Sequence, residues 1–505
     1  MNKKELGVVL TPPKTAEYIV FRLGNVSSTQ KVLDPCVGPG IFIKALLKSG
    51  VDKAQIFCHD INSDYKATIE DLGVRFRAID NLLSLNSESY NEYDFIVGNP
   101  PYLNKASNYV RSNRVELKKL YGKINAHETY SMFIVNSIWR LKEGGKLGFI
   151  TSDSFLSLST HTKLRKFILK NCLINEILLA PKDLFSNQNV STSPAILILT
   201  KCSNERIRNQ NSIYVVPRIK NEEDYKKPKK VLKIQQKNYY KLPFNIFFID
   251  VENEVIEFFD SAPRLEDFIK GYIGMHTHDN RKYVAAIEGT LLASVFRRRN
   301  EKINDYNLKY KIIESEQLDS GNWKPYLKRG GSEQYYRPIS EALDWSEEAT
   351  KVYDIPKNVP FEKEGIVISG VSSRLAARYM PEGCYWDSNK AIGFITRNSS
   401  ASIEFFLGLL NSSLYNYFAK GIINNTNSIQ LTGIHALPFI EPDSSFVAEI
   451  EAQVHNITKN KMLNPDYIYV KEQKMIDNLV FNYFVKYHNF PSSLKKKLDK
   501  RYSVY

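Results

Sequence analysis

The sequence predicts an α/β fold class, with a doubly wound and mostly parallel sheet in the first part of the chain. Three observations predict it. Apolar runs with strand character alternate with amphipathic helical patterns through the first 200 residues. A glycine-bearing turn joins one of these runs to the helix that follows it. After about residue 205 the segments become polar, basic and irregular, which indicates a second domain of mixed α/β type.

Seven apolar runs are the predicted strands of this sheet. They span residues 31–33, 55–59, 75–78, 95–97, 146–151, 174–179 and 195–200. The predicted helices between them span residues 14–23, 41–49, 130–142 and 161–170. In the second domain we predict strands at residues 365–369 and 391–396 and a helix at residues 402–420.

The composition indicates a basic globular protein of 505 residues with a formal net charge of +14. Such an excess of positive charge favours a polyanionic partner, with nucleic acid as the first candidate. The five cysteines form no C-x-x-C pair, which indicates a reduced protein without a cysteine-based zinc site. The N-terminal segment lacks the apolar core of a signal peptide, and no run is long enough to span a bilayer. We therefore expect a cytoplasmic protein without membrane association.

The tetrapeptide Asn99-Pro100-Pro101-Tyr102 is the most informative motif of the chain. It follows the apolar run at residues 93–98, so it forms a rigid, polar and aromatic corner at the C-terminal end of a buried strand. In open α/β sheets this end of the strands is where ligands bind. The motif therefore predicts a functional site at this edge of the sheet.

A second motif runs from Asp34 to Gly40 and joins a strand to a helix N-terminus. Such a turn lets backbone N–H groups approach a ligand closely, and it favours a nucleotide or adenosine moiety over a plain tight turn. The third glycine of a dinucleotide fingerprint is missing, because Ile43 stands there. Asp60 ends the next strand, where a carboxylate can accept from both ribose hydroxyls, or can simply cap a helix. Asp80 follows a further strand and could accept from an adenine amino group or serve only as a turn residue.

Together these motifs resemble the S-adenosylmethionine-dependent adenine-N6 DNA methyltransferases of the gamma motif order, the TaqI-like type with a C-terminal target recognition domain. The resemblance implies a Rossmann-like class I methyltransferase domain with a mostly parallel seven-stranded sheet over residues 1–214. It implies a mixed α/β DNA target recognition domain over residues 215–440 and a helical tail over residues 441–505. It also implies S-adenosyl-L-methionine as cofactor, S-adenosyl-L-homocysteine as product and double-stranded DNA as partner.

The resemblance further implies a role for individual residues of this chain. The implied cofactor-binding residues are Thr11, Asp34, Pro35, Gly38, Gly40, Asp60, Asp80 and Asn99. The implied catalytic residues are Asn99, Pro100, Tyr102 and Phe185. The Asn99 side-chain oxygen and the Pro100 carbonyl can both accept hydrogen bonds from an exocyclic amine, and this makes the amine nitrogen a better nucleophile. A base inside a duplex is out of reach, so it must be flipped out, and Tyr102 and Phe185 could then hold it by stacking.

Basic residues of the second domain are candidates for DNA contact, mostly to phosphates. These residues are Lys324, Lys328, Arg329, Arg337, Arg374 and Arg378. A cognate restriction endonuclease or defence-system proteins, encoded separately, would be further partners, and a monomer is the default expectation. Neither the recognition sequence nor the biological setting of the methylation can be derived from the sequence.

Several alternatives stay open or are set aside. The same motif serves methylation of cytosine N4, of RNA and of glutamine in proteins, and a DNA-binding subunit with a vestigial cofactor pocket is a further alternative.

Cys36 lies inside the glycine-bearing turn, which argues against a catalytic thiol. Residues 465–474 are similar to a nuclease signature, but we interpret them as the solvated surface of a helix. We interpret the basic residues 495–501 as a solvated terminus. His276 and His278 could bind a metal, yet no third ligand is evident in the sequence, so we expect no metal site.

Overall fold

Nine strands of the first half of the chain form one twisted sheet in the computed structural model. The structure describes residues 7–124, 128–188, 193–328, 330–388, 390–397, 401–424 and 426–504. Two compact units make up the chain, Met1–Val251 and Glu252–Tyr505. The candidate site lies in the first unit, so its sheet is described first.

The sheet of the first unit has the strand order β3-β2-β1-β4-β5-β7-β6-β8-β9 among the described residues. Its strands are β1 (Val32–Asp34), β2 (Ile56–Asp60), β3 (Arg75–Ala78), β4 (Tyr93–Gly98), β5 (Leu141–Ser152), β6 (Cys172–Leu179), β7 (Pro194–Lys201), β8 (Ser212–Val216) and β9 (Leu232–Gln235). All seven predicted strands are confirmed as β1 to β7. β3, β2, β1, β4 and β5 pair in parallel, whereas β7 runs antiparallel to both of its neighbours.

Helices pack against this sheet and bury its apolar strands. They are α1 (Pro13–Leu23), α2 (Ile41–Lys48), α3 (Lys66–Glu70), α4 (Asn108–Ser112), α5 (Arg114–Tyr121), α6 (Thr129–Arg140), α7 (Thr162–Asn171) and α8 (Glu205–Gln210). The four predicted helices correspond to α1, α2, α6 and α7. α1 begins with a proline at its first helical position, where the missing N–H costs nothing, and it buries Ala16, Ile19 and Val20. The predicted α/β fold class is therefore confirmed.

The first unit extends beyond the boundary that we expected at residues 214/215. β8 pairs in parallel with β6, and β9 pairs antiparallel with β8, so the chain adds two strands to the edge of the sheet after residue 211. The following segment also packs on this unit, because Phe247 donates its backbone N–H to the Leu156 carbonyl (2.8 Å). The structure accordingly places the division after Val251.

The second unit contains two smaller sheets. Its strands are β10 (Ile269–Ile273), β11 (Val284–Ile287), β12 (Ile312–Ile313), β13 (Trp323–Leu327), β14 (Glu341–Asp344), β15 (Gly365–Ser369), β16 (Ala377–Met380), β17 (Tyr385–Trp386) and β18 (Ala391–Thr396). Within the described part of the chain, one sheet has the order β10-β18-β15-β16 and the other β12-β11-β14-β13-β17. The two strands predicted here from sequence are β15 and β18. The mixed α/β character expected of this domain is present.

Helices complete the second unit. They are α9 (Asn253–Ser261), α10 (Asn280–Tyr283), α11 (Leu291–Asn300), α12 (Glu347–Thr350), α13 (Ile403–Asn411), α14 (Ser413–Asn416), α15 (Leu431–His435), α16 (Ser444–Leu463), α17 (Val470–His488) and α18 (Leu494–Arg501), with a π-helical turn at Tyr417–Ile423. The helix predicted at residues 402–420 is thus α13 and α14 followed by this turn. None of the helices that the structure describes is both long and apolar enough to cross a membrane.

The C-terminal helices are part of the second unit, although we expected residues 441–505 as a separate tail. Asp477 on α17 accepts the backbone N–H of Ser413 (2.7 Å), and both residues are buried. Gln473 on the same helix accepts the buried Tyr335 hydroxyl (2.7 Å). Because these contacts satisfy buried polar groups on both sides, the last helices and the preceding domain form one core.

Candidate active site

A cavity of about 830 Å³ opens at the C-terminal ends of β1, β2, β3 and β4. Its walls include Pro35 after β1, Asp60 at the end of β2, Asp80 after β3 and Asn99 after β4. The carboxyl ends of parallel strands meet at one edge of a sheet, and the strand order reverses between β1 and β4, so this is the expected place for a ligand. Thr11, from the segment before α1, also lines the cavity.

The glycine-bearing turn after β1 is fixed by packing and by one hydrogen bond across the sheet. Gly40 precedes α2 with φ of +82°, and a Cβ at this position would lie 2.7 Å from the Ile69 side chain. The Gly38 N–H donates to Asp60 Oδ2 (2.9 Å). Gly38 and Gly40 therefore shape the turn, and neither is among the residues that line the cavity.

Asp34 lies behind the cavity wall and is fully buried. Its Oδ1 accepts the Cys36 N–H (3.1 Å), whereas its Oδ2 has no hydrogen-bond partner among the described groups. Burial holds the pKa of this carboxyl well above its usual range. A buried carboxylate oxygen without a partner is a site where a cationic group would be stabilised.

Asp60 and Asp80 both reach the cavity, but each already accepts hydrogen bonds. Asp60 Oδ1 accepts the Asn62 N–H (2.9 Å) in addition to the bond from Gly38, and burial raises the pKa of Asp60. Asp80 accepts the Leu82 N–H (3.0 Å) and the hydroxyl of Tyr109 (2.9 Å). Tyr109 itself lines the cavity. Sequence reasoning missed Tyr109, because it lies in a polar segment that has no visible motif.

Asn99 is anchored by its amide nitrogen and leaves its oxygen without a partner. Nδ2 donates to the Val9 carbonyl (2.9 Å) and to the Thr11 hydroxyl oxygen (3.0 Å). Oδ1 is buried and has no hydrogen-bond partner within the described residues. The opposite orientation of the amide would place its oxygen against the Val9 carbonyl oxygen. The amide nitrogen therefore faces Val9 and Thr11, and the amide oxygen points away from them. Asn99 therefore lines the cavity and holds one buried acceptor atom that has no partner among the described groups.

The loop that follows Asn99 is held by the start of α6. The Thr129 hydroxyl donates to the Pro101 carbonyl (2.5 Å) and accepts the Leu103 N–H (3.0 Å). Pro100 is buried in the same loop. Thr129 also lines the cavity, and sequence reasoning missed it although it directly precedes the helix predicted at residues 130–142. A polar residue at the start of the helix that follows the Asn99–Tyr102 motif is the signal that could have found it.

Aromatic rings lie beside this loop. Tyr102 has its ring centroid 6.5 Å from Phe185, edge to face, and 6.2 Å from Tyr130. The Tyr102 hydroxyl is buried without a hydrogen-bond partner among the described groups, and burial raises its pKa. Phe185 is 2% exposed and belongs to the hydrophobic core. The structure thus brings Tyr102 and Phe185 together, with the two rings in contact and no open space between them for a base.

The predicted DNA-contacting residues of the second unit separate into different environments. Lys328 lines a groove of about 1370 Å³, whereas Lys324 pairs with Glu362 (2.9 Å). Arg337 donates to the Gly330 carbonyl (3.2 Å) and Arg374 is half-buried. Arg378 is 2% exposed, and burial lowers its pKa to about 10, so its role in this structure is internal. Arg329 lies outside the described residues.

The groove that contains Lys328 holds basic residues that sequence reasoning had missed. Arg281, Arg299 and Lys390 line it together with Tyr310. The guanidinium carbons of Arg281 and Arg299 lie 5.0 and 5.6 Å from the centre of the Tyr310 ring. These residues come from four separate segments of the chain, so only the fold brings them together.

Comparison with known proteins agrees with this division of the chain. Residues 43–185 match the model of the Eco57I restriction-modification methylase, and residues 299–439 match that of the TaqI-like C-terminal specificity domain. The type II methyltransferase M.HincII of Haemophilus influenzae is 28% identical over 221 residues, which cover 42% of this chain and 40% of that protein. M.VspI of Vibrio sp. (strain 343) is 25% identical over 295 residues, which cover 56% of this chain and 67% of M.VspI. This chain thus spans less than half the length of M.HincII.

Solved structures share the fold at low sequence identity. The restriction-modification enzyme MmeI, determined in complex with DNA, gives a TM-score of 0.56 at 13% identity and covers 97% of this chain and 75% of that one. The DrdV–DNA complex gives a TM-score of 0.54 at 15% identity and covers 90% of this chain and 57% of DrdV. Two regions of the chain thus match, in the same order, the methylase domain and the C-terminal recognition domain of gamma-class restriction-modification methyltransferases.

Proposed function

We propose that this protein is a sequence-specific DNA methyltransferase that methylates the exocyclic N6 of a flipped-out adenine in duplex DNA. One observation carries the proposal: Asn99 Oδ1 is a buried acceptor without a partner, at a cavity on the ligand-binding edge of the sheet. The order of the motifs, with the recognition domain last, and the two family models that the chain matches support it. No observation of this structure favours cytosine N4, RNA or protein as the acceptor.

The residues around the cavity fit S-adenosyl-L-methionine. Asp34 Oδ2, buried and without a partner among the described groups, would stabilise the cofactor's ammonium group. Asp60 would accept from the ribose hydroxyls and Asp80 from the adenine amino group, while Pro35 and Phe42 supply apolar wall. When bound, the cofactor supplies a methyl group on a sulfonium, and S-adenosyl-L-homocysteine is the product.

Asn99 and Pro100 would act on the acceptor amine. The amine nitrogen of adenine is conjugated to the ring and is a poor nucleophile. Hydrogen bonds from its two N–H groups to Asn99 Oδ1 and to the Pro100 carbonyl would draw the nitrogen toward tetrahedral geometry and localise its lone pair. The residues contribute position and electrostatics and form no covalent bond, which suits a fixed amide in a water-poor pocket.

Tyr102 and Phe185 would hold the flipped base by stacking. In this structure the two rings contact each other, so base entry requires that they separate. The segment of Phe185 is tied to the residues before α1, because Gln188 donates to the Leu10 carbonyl (2.8 Å) and accepts the Leu10 N–H (2.6 Å). We therefore place the opening movement in the Phe185 segment together with residues 8–11.

The second unit would read the DNA, as its TaqI-like specificity domain suggests. The groove with Arg281, Arg299, Lys328 and Lys390 is the best candidate for phosphate contact, because four cations face one concave surface. Tyr310 adds an aromatic surface under two guanidinium groups. A separate cognate endonuclease or defence protein would complete a restriction or defence system, and one protein chain per target base suffices for the chemistry.

The direct test supplies labelled S-adenosyl-L-methionine to the purified protein with duplex DNA, RNA or a protein mixture, and identifies the product by mass spectrometry of the digested nucleosides. The proposal expects label in duplex DNA as N6-methyladenine, within one short sequence context. N4-methylcytosine as the product would overturn the choice of base. Label in RNA or protein alone would overturn the choice of DNA, and absence of cofactor binding by calorimetry would indicate a vestigial pocket.

A further inference from the structure

Three side chains that can bind a metal converge on the surface of the second unit. His276, His278 and Asp354 each offer a ligand atom, and these atoms all lie within 4.8 Å of one another. The sequence shows only the two histidines, because Asp354 comes from a distant segment. The fold supplies the third ligand that sequence reasoning lacked.

Alternation along the backbone places both histidines on the same face. Met275 and Thr277 are buried, whereas His276 and His278 are exposed. In extended chain, residues two apart point to the same side, so the imidazoles lie next to each other with ring centres 4.7 Å apart. The buried neighbours fix this orientation, because turning the histidines inward would expose Met275 and Thr277.

Asp354 lies directly opposite His276. The His276 N–H donates to the Asp354 carbonyl (3.1 Å), and the Asp354 N–H donates to the His276 carbonyl (2.9 Å). Tyr353, next to it, is buried and donates its hydroxyl to the Asp344 carbonyl (2.6 Å). The Asp354 carboxylate oxygen lies 2.9 Å from His278 Nε2. Backbone pairing therefore determines how His276 and Asp354 lie relative to each other before any ion binds.

The backbone of His278 is unusual and supports a built site. Its φ is +60°, a left-handed conformation that residues with a side chain adopt uncommonly. The turn is held on both sides: the Thr277 hydroxyl bonds Asn280 Oδ1 (2.8 Å), and the Asp279 N–H donates to the Thr277 carbonyl (2.7 Å). This conformation directs the second imidazole toward Asp354.

We propose that His276, His278 and Asp354 bind one zinc ion, with water completing the coordination. Two imidazole nitrogens and one carboxylate oxygen suit Zn²⁺, whereas Mg²⁺ and Ca²⁺ prefer oxygen ligands alone. His276 Nδ1 accepts the His278 backbone N–H (3.2 Å), so zinc at Nδ1 would replace this contact, and zinc at Nε2 would require the ring proton to move to Nδ1. The ion would join residues 275–279 to residue 354 within the second unit. This site does not depend on the methyl-transfer proposal.

The test titrates ZnCl₂ into the metal-free full chain by calorimetry, with MgCl₂ as a second titrant. We expect one Zn²⁺ per chain with micromolar affinity, no heat from Mg²⁺, and a higher melting temperature with zinc than without it. His278→Asn, which keeps a residue that tolerates positive φ, and Asp354→Asn should each weaken zinc binding by about tenfold or more. His455→Gln, at an exposed histidine outside the cluster, is the matched control and should bind as the wild type does.

Two results would overturn the proposal. The first is a wild-type chain that takes up no zinc in the micromolar range. The second is zinc binding that His278→Asn and Asp354→Asn leave unchanged, because the ion would then be held adventitiously by other surface groups. Circular dichroism of each variant without zinc shows whether it folds, so a loss of binding is attributed to the ligands.

Discussion

Val9 and Thr11 together hold the amide nitrogen of Asn99. The Thr11 hydroxyl oxygen accepts one N–H of the Asn99 amide, and the Val9 carbonyl accepts the other (3.0 and 2.9 Å). Rotation of the amide by half a turn would replace the oxygen at the cavity by a donor, which could not accept from an amine. If Asn99 has the proposed role, Thr11 would act on the reaction through Asn99, in addition to the cofactor contact that the family resemblance implies.

We predict that Thr11→Val lowers kcat by about fivefold to thirtyfold, which corresponds to the loss of one hydrogen bond of about 1–2 kcal/mol. Thr11→Ser keeps the acceptor oxygen and should stay within about threefold of the wild type. Steady-state kinetics with duplex DNA measure the positioning role of Thr11, and calorimetry with S-adenosyl-L-homocysteine measures its contact with the cofactor. Unchanged kcat in Thr11→Val would refute the positioning role, whereas a loss of cofactor affinity alone would leave only the cofactor contact.

Asp34 gives a prediction for the pH dependence of stability. Burial raises its pKa in the folded chain, so the folded protein binds this proton more tightly than the unfolded chain does. The stability that this group contributes is complete below its unfolded pKa of about 3.9 and is lost as the pH rises through the raised folded value. At neutral pH the buried carboxylate therefore destabilises the protein without cofactor.

Asp34→Asn should consequently raise the melting temperature of the cofactor-free protein, by an amount that grows as the pH rises from about 4 toward neutral. Thermal denaturation across this range measures the difference, with the exposed Asp64→Asn as control. The same variant should lose cofactor affinity. A difference between variant and wild type that does not vary with pH would contradict the attribution to the buried carboxylate.

For individual residues, the sequence predicts most members of the candidate site but not the hydrogen bonds between them. Thr11, Asp60, Asp80 and Asn99 were singled out, and all four line one cavity. The pairing of Thr11 with Asn99 spans 88 positions, and no spacing rule reveals such a contact. Tyr109 was missed for the same reason: its importance comes from the carboxylate that it reaches, and nothing in its own segment indicates that.

At the element scale, the turn before α2 depends on close packing against α3. Gly40 combines a positive φ with a virtual Cβ only 2.7 Å from the buried Ile69 side chain. Gly50, just after α2, has a similar φ of +89°, but nothing lies within 4 Å of its virtual Cβ. Alanine substitutions at Gly40 and Gly50 therefore separate the free energy of backbone strain from the free energy of overpacking.

We predict that Gly40→Ala destabilises the chain by about 2–4 kcal/mol, because strain and overpacking both contribute. Gly50→Ala should cost only about 1–2 kcal/mol, from strain alone. Urea denaturation of both variants gives the comparison. Equal losses would show that Ile69 moves aside freely and that the contact between the turn and α3 is not tight.

Strand and helix prediction worked where burial dominates. β1 and β4 are buried on both faces, so their apolar runs stand out from the surrounding sequence. β9 alternates half-buried and exposed residues at the edge of the sheet, in a lysine-rich segment that reads as loop. Because pairing with β8 and not apolar content makes it a strand, the sequence alone could not extend the first unit to Val251.

For the molecule as a whole, the net charge of +14 can be interpreted only from the positions of the basic residues in the structure. Among the described residues, four cations line one groove of the second unit, and they come from segments between residues 281 and 390. The charge excess predicted a polyanionic partner, but the sequence-based selection of contact residues included Arg378, which is buried. Folding decides which basic residues share a surface, and composition does not contain that information.

The groove predicts how DNA affinity depends on salt. Arg299→Gln with Lys390→Gln should weaken DNA binding at low salt and lower the slope of log affinity against log salt by about 0.9 for each phosphate contact removed. Lys357→Gln with Lys363→Gln, at exposed lysines of the same unit outside the groove, is a control of equal charge. Fluorescence anisotropy over a salt series measures both slopes. If the two double variants behave alike, the groove has no special part in binding.

The proposed chemistry requires that Asn99 Oδ1 accepts an N–H of the target adenine amine, and single-turnover methylation by Asn99→Ala is the decisive test. Lys105→Ala, exposed in the same segment, is the control. We predict that Asn99→Ala lowers the rate of N6-methyladenine formation in duplex DNA by about a hundredfold or more, while cofactor and DNA binding persist. An Asn99→Ala variant that methylates DNA as fast as the wild type would contradict the account.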